Sequence, residues 1–240
     1  MGYKFVYIIF FSKLVFCQTF EVSYEYELKE SIWDDKKNVS AYFKTMFYQS
    51  RKDIKHYPME FLVSNKGYSI DFSQSMQVDP EFQKIRVPKR LAISHLGLDI
   101  KLYNDHNKTY SYNGNDLIKS FNLLELGYWK ITKQNKKILG YSCYKAYYNT
   151  DESELKNASI LIPKYAWFTT EIPMQGGPTI FGNLPGLILE LETKAAHFIS
   201  TSIQETSKEL TKIDFTNKKV MTFIESQKYY GNIMESKIKN

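Results

Sequence analysis

The sequence predicts a mainly β fold of the α+β class, in which an antiparallel sheet carries a C-terminal amphipathic helix. Aromatic residues make up 16% of the 240 residues, with 19 Tyr and 16 Phe, whereas Ala occurs only seven times. Tyr, Phe and β-branched residues favour strands, and Ala favours helices. Several segments also alternate apolar and polar residues, the period of a strand with one solvated face.

The first half of the chain predicts one strand followed by two hairpins. Residues 20–28 alternate Phe, Val, Tyr and Leu with Glu and Ser, which predicts the strand. Residues 41–50 fit a helix or a strand equally well. The hairpins occupy residues 60–72, turning at Asn65-Lys66-Gly67, and residues 99–112, turning through residues 104–107.

The second half predicts a third hairpin, three further strands and a helix. The hairpin joins residues 128–132 to 137–148 through a turn at residues 134–136. The strands are residues 159–170, 187–192 and 195–206. In the second of these, alternation directs Leu187, Leu189 and Leu191 to one face and Ile188, Glu190 and Glu192 to the other. From Asn217 onward, Val220, Phe223, Ile224, Gln227 and Tyr230 follow helical spacing. This helix packs on the sheet or, alternatively, on a membrane surface.

The amino terminus has the pattern of a signal peptide. Lys4 provides a positive charge, and two apolar runs follow, at residues 5–11 and 14–17. This stretch is shorter than the roughly 20 residues that span a bilayer. We therefore expect a signal peptide over residues 1–17, cleaved between Cys17 and Gln18, and a single β-rich domain over residues 18–240. The alternatives are an uncleaved anchor, a buried first strand, or a lipid anchor attached through Cys17.

Charge and cysteine content limit the partners. The net charge is +6, and the basic residues comprise 29 Lys and only 3 Arg, spread thinly along the chain. Nucleic-acid readers prefer Arg, so we expect no nucleic-acid partner. The charge is interpreted as a solvated surface, with a peripheral membrane contact as the alternative. The mature chain is expected to have no transmembrane span. It retains one cysteine, Cys143, predicted to be buried and unpaired.

No catalytic or metal-binding motif occurs. The four histidines, at positions 56, 95, 106 and 197, lack the spacing of metal ligands, and no phosphate loop, nucleotide fingerprint or nucleophile elbow is present. We therefore expect no metal and no cofactor, and the motifs nominate no catalytic residue.

The segment at residues 166–192 is the most unusual, because Gly and Pro cluster between two apolar strands. Leu184 precedes a Pro-Gly turn and would lie either at the loop tip or folded back into the core. One interpretation of this segment is a simple chain reversal. The other interpretation is an interaction loop, whose candidate residues are Trp167, Glu171, Pro173, Gly177, Pro178, Phe181, Gly182, Asn183, Leu184, Pro185 and Gly186.

These motifs resemble those of the GLPGLI family, exported proteins of Bacteroidetes without an established activity. The resemblance rests on Trp129-Lys130-Ile131, residues 137–146, Ala166-Trp167-Phe168-Thr169, Glu171-Ile172-Pro173, Gly177-Pro178, Phe181 and residues 183–188. It departs at Asn183, where the family has Gly. The resemblance implies a protein of the periplasm or outer-membrane periphery. The hairpin at residues 137–146 is also similar to those of lipoprotein-carrier-like envelope proteins, which implies a curved sheet or half-open barrel.

Two functions follow as hypotheses. The leading hypothesis is a non-enzymatic envelope protein that binds an apolar ligand or a protein partner, since no catalytic signature is found. The alternative is an exported hydrolase acting on peptide or glycan. That alternative requires Glu171, Asp214 or another carboxylate to meet a histidine in a cleft.

Overall fold

The computed structural model describes residues 18–29, 41–72, 89–106, 108–122, 127–150 and 162–229. Within them lie two helices, α1 (Ala41–Asp53) and α2 (Lys89–His95), and a third, α3, at residues 223–229. The strands are β1 (Thr19–Leu28), β2 (Glu60–Ser64), β3 (Gly67–Asp71), β4 (Lys101–Asn104), β5 (Thr109–Tyr112), β6 (Leu117–Phe121), β7 (Tyr128–Ile138), β8 (Tyr141–Asn149), β9 (Pro163–Thr169), β10 (Leu187–Thr193), β11 (Ala196–Thr206) and β12 (Lys219–Thr222).

These strands form one sheet in the order β12-β6-β5-β4-β3-β2-β1-β11-β10-β9-β8-β7. The sheet is not closed: β12 and β7 are its outer strands among the described residues. Every pairing is antiparallel except that of β12 with β6. The prediction of a mainly β fold with a C-terminal helix is therefore confirmed.

Strand β1 joins two halves of the sheet. Its first three residues, Thr19 to Glu21, pair with Leu62 to Ser64 of β2, while its whole length pairs with β11. Beyond Glu21 it separates from β2. The register of β1 with β11 also shifts between Ser23 and Tyr24, as at a β-bulge. Bulges bend and twist the strand that contains them, and this one lies just beyond the residues of β1 that pair with β2.

The core is rich in aromatic side chains, as the composition suggests. Phe61, Tyr68, Phe72, Phe168 and Phe198 are among the largest fully buried side chains. Burying each such ring stabilises the fold by roughly 1.5–3 kcal/mol relative to leaving it exposed. Tyr24 meets Phe61 edge to face across β1 and β2, with ring centroids 5.5 Å apart. The aromatic residues therefore hold the two halves of the sheet together.

Residues 41–50, which the pattern left open, are helical. The last turn of helix α1 contains Arg51 and Lys52, and positive charges near a helix C-terminus interact favourably with the helix dipole. Phe47 and Ser50 are buried on one side of the helix. The first strand, the hairpins at β2–β3 and β4–β5, the strands β9 to β11 and the burial of Cys143 agree with the predictions.

The turn of the third hairpin was predicted in the wrong place. Residues 134–136 lie inside β7, and the chain reverses at Leu139-Gly140 instead. A register shift between Ile131 and Asn135 accommodates the polar residues within the strand. The local polarity that resembled a turn therefore belongs to a bulged outer strand.

The face assignment of residues 187–192 was also wrong in part. Ile188 pairs with Phe168 and Glu190 pairs with Trp167, and these two partners are neighbours in β9. Because neighbouring residues of a strand point to opposite faces, Ile188 and Glu190 do so too. A register shift at Leu189 causes this reversal.

The C-terminal helix begins later than its spacing predicted. Val220 lies in β12, and α3 begins at residue 223. Thr222 and Glu225 form a capping box: the Thr222 main-chain N–H donates to Glu225 Oε2 at 2.8 Å, and Glu225 N–H donates to Thr222 Oγ1 at 3.3 Å. Phe223 stacks on Phe121 of β6, with ring centroids 5.3 Å apart.

The predicted signal peptide at residues 1–17, including Cys17, lies outside the described residues, and Gln18 is their first residue. No helix in the described part of the chain is long and apolar enough to cross a membrane.

Candidate functional site

The predicted interaction loop is divided between two faces of the sheet. Trp167 lies in β9 and is partly exposed, whereas most of the loop that follows β9 packs into the core. Glu171, Pro173 and Pro185 are exposed and Asn183 is partly buried; the buried residues are Gly177, Pro178, Phe181, Gly182, Leu184 and Gly186. Leu184, at 1% exposure, has folded back into the core.

Hydrogen bonds from the sheet hold this loop. The Tyr68 hydroxyl donates toward the carbonyls of Thr179 and Ile180, at 3.0 and 3.1 Å, and accepts from Gly182 N–H at 3.3 Å. Trp129 Nε1 donates to Asn183 Oδ1 at 2.9 Å. Asn183 therefore has a side-chain partner in β7.

Strand register brings a second group of residues together on the opposite face. One row across β1, β11, β10, β9 and β8 contains Glu25, Ile199, Glu190, Trp167 and Lys145. The adjacent row contains Glu27, His197, Glu192, Tyr165 and Tyr147, and Tyr147 pairs with Lys130 of β7. We call this surface the polar face, because the opposite face carries the buried Ala166, Phe168 and Phe198.

Glu190 is at the centre of the polar face. Its side chain is only 8% exposed, and its carboxylate forms an ion pair with Lys136 of β7. The other carboxylate oxygen, Oε1, lies 3.4 Å from His197 Nε2. A buried carboxylate is costly unless it is paired and hydrogen-bonded, so Lys136 is what permits its burial.

Two lysines lie over the rings of this face. Lys136 Nζ is 4.6 Å from the centroid of the Trp167 ring. Lys145 Nζ is 4.4 Å from the Tyr165 ring, 4.8 Å from Tyr147 and 5.6 Å from Trp167. These distances are typical of cation–π interactions. Burial, followed by the charges of Glu192 and Glu190, raises the pKa of Tyr165, so this ring stays neutral near pH 7.

A cleft of about 690 Å³ opens beside this group, where β1 separates from β2. His197 and Ile199 form one wall, and Glu25 and Glu27 belong to the adjacent strand; Ser23, Tyr24, Tyr26, Lys55, Pro58 and Met59 complete the lining. This volume is within the range of small-molecule sites. His197 therefore faces the cleft and contacts Glu190 at the same time.

The two carboxylates nominated from the sequence, Glu171 and Asp214, each accept a hydrogen bond from a main-chain N–H group. Glu171 accepts a hydrogen bond from Ser142 N–H at 2.8 Å, and Asp214 accepts one from Thr216 N–H at 2.9 Å. The carboxylate that meets a histidine beside a cleft is Glu190. Sequence reasoning missed the pair of Glu190 and His197. The short connection between residues 187–192 and 195–206 could have indicated it, because that connection places Glu192, two residues from Glu190, opposite His197. Among the described residues, no group of His, Cys, Asp and Glu could hold a metal ion.

Comparisons with known proteins show what this chain resembles. Residues 113–230 match the family described as N-glycanase peptide, N-terminal domain. A solved structure of PNGF-II, in a P21 crystal form, shares the fold with a TM-score of 0.50 and 16% sequence identity. That alignment covers 88% of this chain but only 33% of PNGF-II, so this chain spans about a third of its length. A C2 crystal form of PNGF-II aligns with a TM-score of 0.42 and 17% identity over 85% of this chain and 31% of PNGF-II. No curated protein sequence matches.

These findings correct three expectations. The resemblance to the GLPGLI family is wrong, because the matching family is the N-glycanase N-terminal domain. The leading hypothesis of a non-enzymatic binder of an apolar ligand or protein partner is wrong for the same reason, as is the expectation that the protein is not an enzyme. The findings favour the alternative, a hydrolase-type protein acting on glycan. The residues of the polar face come from separate strands, so no local sequence motif marks them.

Proposed function

We propose that this chain acts in the hydrolytic removal of N-linked glycans, and that the polar face is where it contacts the glycan. The observation that carries this proposal is the match of residues 113–230 to an N-glycanase domain. That range includes Lys136, Trp167, Glu190 and His197.

The chemistry of the polar face suits a carbohydrate. Trp167, Tyr165 and Tyr147 present aromatic rings to the apolar faces of sugar rings, and carboxylates accept hydrogen bonds from hydroxyl groups. A cleft with a few polar groups fixes the orientation of a ligand.

His197 is the group in the cleft that is suited to proton transfer. A histidine ring has one nitrogen that accepts and one that donates a proton, so His197 can take a proton from an attacking water and return it to the departing group. Glu190 acts through His197 as a positioning residue, because it contacts Nε2 and is itself held by Lys136.

The test is release of glycan from an N-glycosylated peptide, followed by mass spectrometry. We expect the full chain to release glycan, His197→Gln to lose at least about 100-fold in rate, and Glu190→Gln to lose less and to shift the pH profile. His106→Asn is the matched control, since His106 lies in the β4–β5 turn with positive φ, which Asn tolerates. No release by the full chain, or equal rates for all variants, would overturn the proposal.

We also propose three properties of the chain that concern its export, its domain organisation and the curvature of its sheet. Export to the periplasm or outer-membrane periphery, through a signal at residues 1–17 or a lipid on Cys17, is supported by the residues of that segment. A single domain over residues 18–240 is supported by the pairing of β1 with β11, far along the chain. A half-open-barrel curvature is supported by the register shifts in the β1–β11, β9–β10 and β7–β8 pairs, which bend strands.

A further inference from the structure

The charges of the polar face are unevenly paired. In its centre each carboxylate has a basic partner: Glu190 pairs with Lys136, and Glu192 pairs with Lys29. At the β1 end, Glu25 and Glu27 are exposed and have no ion-pair partner among the described residues. At the β8 and β7 end, Lys145 and Lys130 likewise have no carboxylate partner in the part of the chain that the structure describes.

Lys145 is an ordered cation. Three rings surround its ammonium group at 4.4 to 5.6 Å, which restricts its position without neutralising its charge. Thr132 Oγ1 donates a 3.0 Å hydrogen bond to the Lys145 carbonyl, which ties β8 to the outer strand at this point. Most exposed lysines lose side-chain entropy when they bind a ligand, and a lysine already held by rings loses less.

We infer that Lys145 and the rings around it bind an acidic group of the glycan, a sugar carboxylate or a sulfate ester. This inference rests on the proposed function for the glycan as ligand. The ammonium supplies the opposite charge, and Trp167 and Tyr165 supply contact area beside it. Glu25 and Glu27 disfavour an acidic group placed next to them at the β1 end of the polar face. That end lies roughly 19 Å from Lys145, across four strand spacings. The two ends therefore orient an acidic glycan with its charged terminus at β8 and its neutral part towards His197.

The experiment measures binding of free glycans, which lack the peptide linkage and cannot be turned over. Carboxylate-bearing, sulfate-bearing and neutral forms of one glycan are titrated calorimetrically into the full chain. We expect one or both acidic forms to bind about fivefold more tightly than the neutral form at low salt. The preference should weaken as ionic strength rises, because salt screens exposed charges.

Variants separate charge from packing. Lys145→Met should abolish the preference, Lys145→Arg should retain it, and Lys137→Met should leave it unchanged, because Lys137 is an exposed lysine next to Lys136 in β7 and points to the opposite face. Circular dichroism confirms that each variant is folded. Equal affinity for acidic and neutral glycans, or an unchanged preference in Lys145→Met, would overturn the inference. Release of glycan without this preference defeats the inference alone, whereas the preference without release defeats only the proposed hydrolysis.

Discussion

The Tyr68 hydroxyl donates a hydrogen bond of 3.0 Å to the main-chain carbonyl of Thr179, which joins β3 to the loop between β9 and β10. Tyr68 is fully buried, and its oxygen also accepts from Gly182 N–H. Burial raises the pKa of Tyr68, so the hydroxyl remains a donor at all physiological pH values.

Replacing Tyr68 with Phe should therefore destabilise the protein. The substitution leaves the Thr179 carbonyl and the Gly182 N–H buried without their partner, at a cost of about 1–3 kcal/mol. Urea denaturation measures the free energy of unfolding. Tyr110→Phe, on the partly exposed ring that meets Phe215, is the control and should change stability by less than about 0.5 kcal/mol. Equal effects of both substitutions would mean that the loop is not held by this hydroxyl.

Gly186 tolerates no side chain. A Cβ at this position would lie 2.0 Å from the Thr169 carbonyl oxygen, and its φ of +156° disfavours other residues. Gly186→Ala should cost about 2–4 kcal/mol through clash and backbone strain. Gly140→Ala, with φ +87° but nothing within 4 Å of the added Cβ, should cost only about 1 kcal/mol. The comparison of unfolding free energies separates the clash from the strain, and a smaller loss at Gly186 would contradict the contact.

The turn between β7 and β8 contains a leucine in a backbone conformation that leucine disfavours. Leu139 has φ +51° and Gly140 has φ +87°, the signs of a type I′ turn, and Leu139 is 45% exposed. Leu139→Asn should stabilise the protein by about 0.5 kcal/mol, since Asn accepts positive φ more readily than Leu. Leu139→Val should destabilise it, because a β-branched residue is strained at this φ. Thermal unfolding of the three proteins should rank Asn above Leu above Val.

His95 should make stability depend on pH. Burial lowers the pKa of His95, whose ring lies 5.3 Å from Phe47 and whose Nδ1 lies 2.8 Å from Ser50 Oγ. Because the unfolded chain binds this proton more readily than the folded chain, protonation favours unfolding. The contribution of neutral, buried His95 to the free energy of unfolding is therefore complete above about pH 6.5 and is lost as the pH falls below that value. Between pH 6.5 and 5.5 the loss is at most about 1.4 kcal/mol.

The measurement for His95 is the unfolding free energy at pH 7.5, 6.5 and 5.5. His95→Asn should reduce the fall between pH 6.5 and 5.5, whereas His106→Asn, at an exposed turn, should leave it as in the unmodified protein. An unchanged pH dependence in His95→Asn would show that other groups produce it.

Local patterns predicted most of the strands because they require only neighbouring residues. The alternation of residues 20–28 corresponds to β1, and Asn65-Lys66-Gly67 corresponds to the β2–β3 turn. The start of α3 could also have been predicted from a local pattern, since Thr222-Phe-Ile-Glu225 is a capping-box sequence. Helical spacing alone placed it too early. Polarity alone failed at residues 134–136, because an outer strand exposes polar residues just as a turn does.

By itself, the sequence determined the β-rich class, most strands and the unusual nature of residues 166–192, because propensity, alternation and Gly/Pro content are local properties. Tertiary structure decided which side chains meet. The register shift at Leu189 sends Ile188 into the core and leaves Glu190 on the polar face, and the pairing of β7, β8 and β9 brings Lys136 and Lys145 to Trp167. A shift of one residue exchanges the two faces of a strand, and only the packed partner strands select one register.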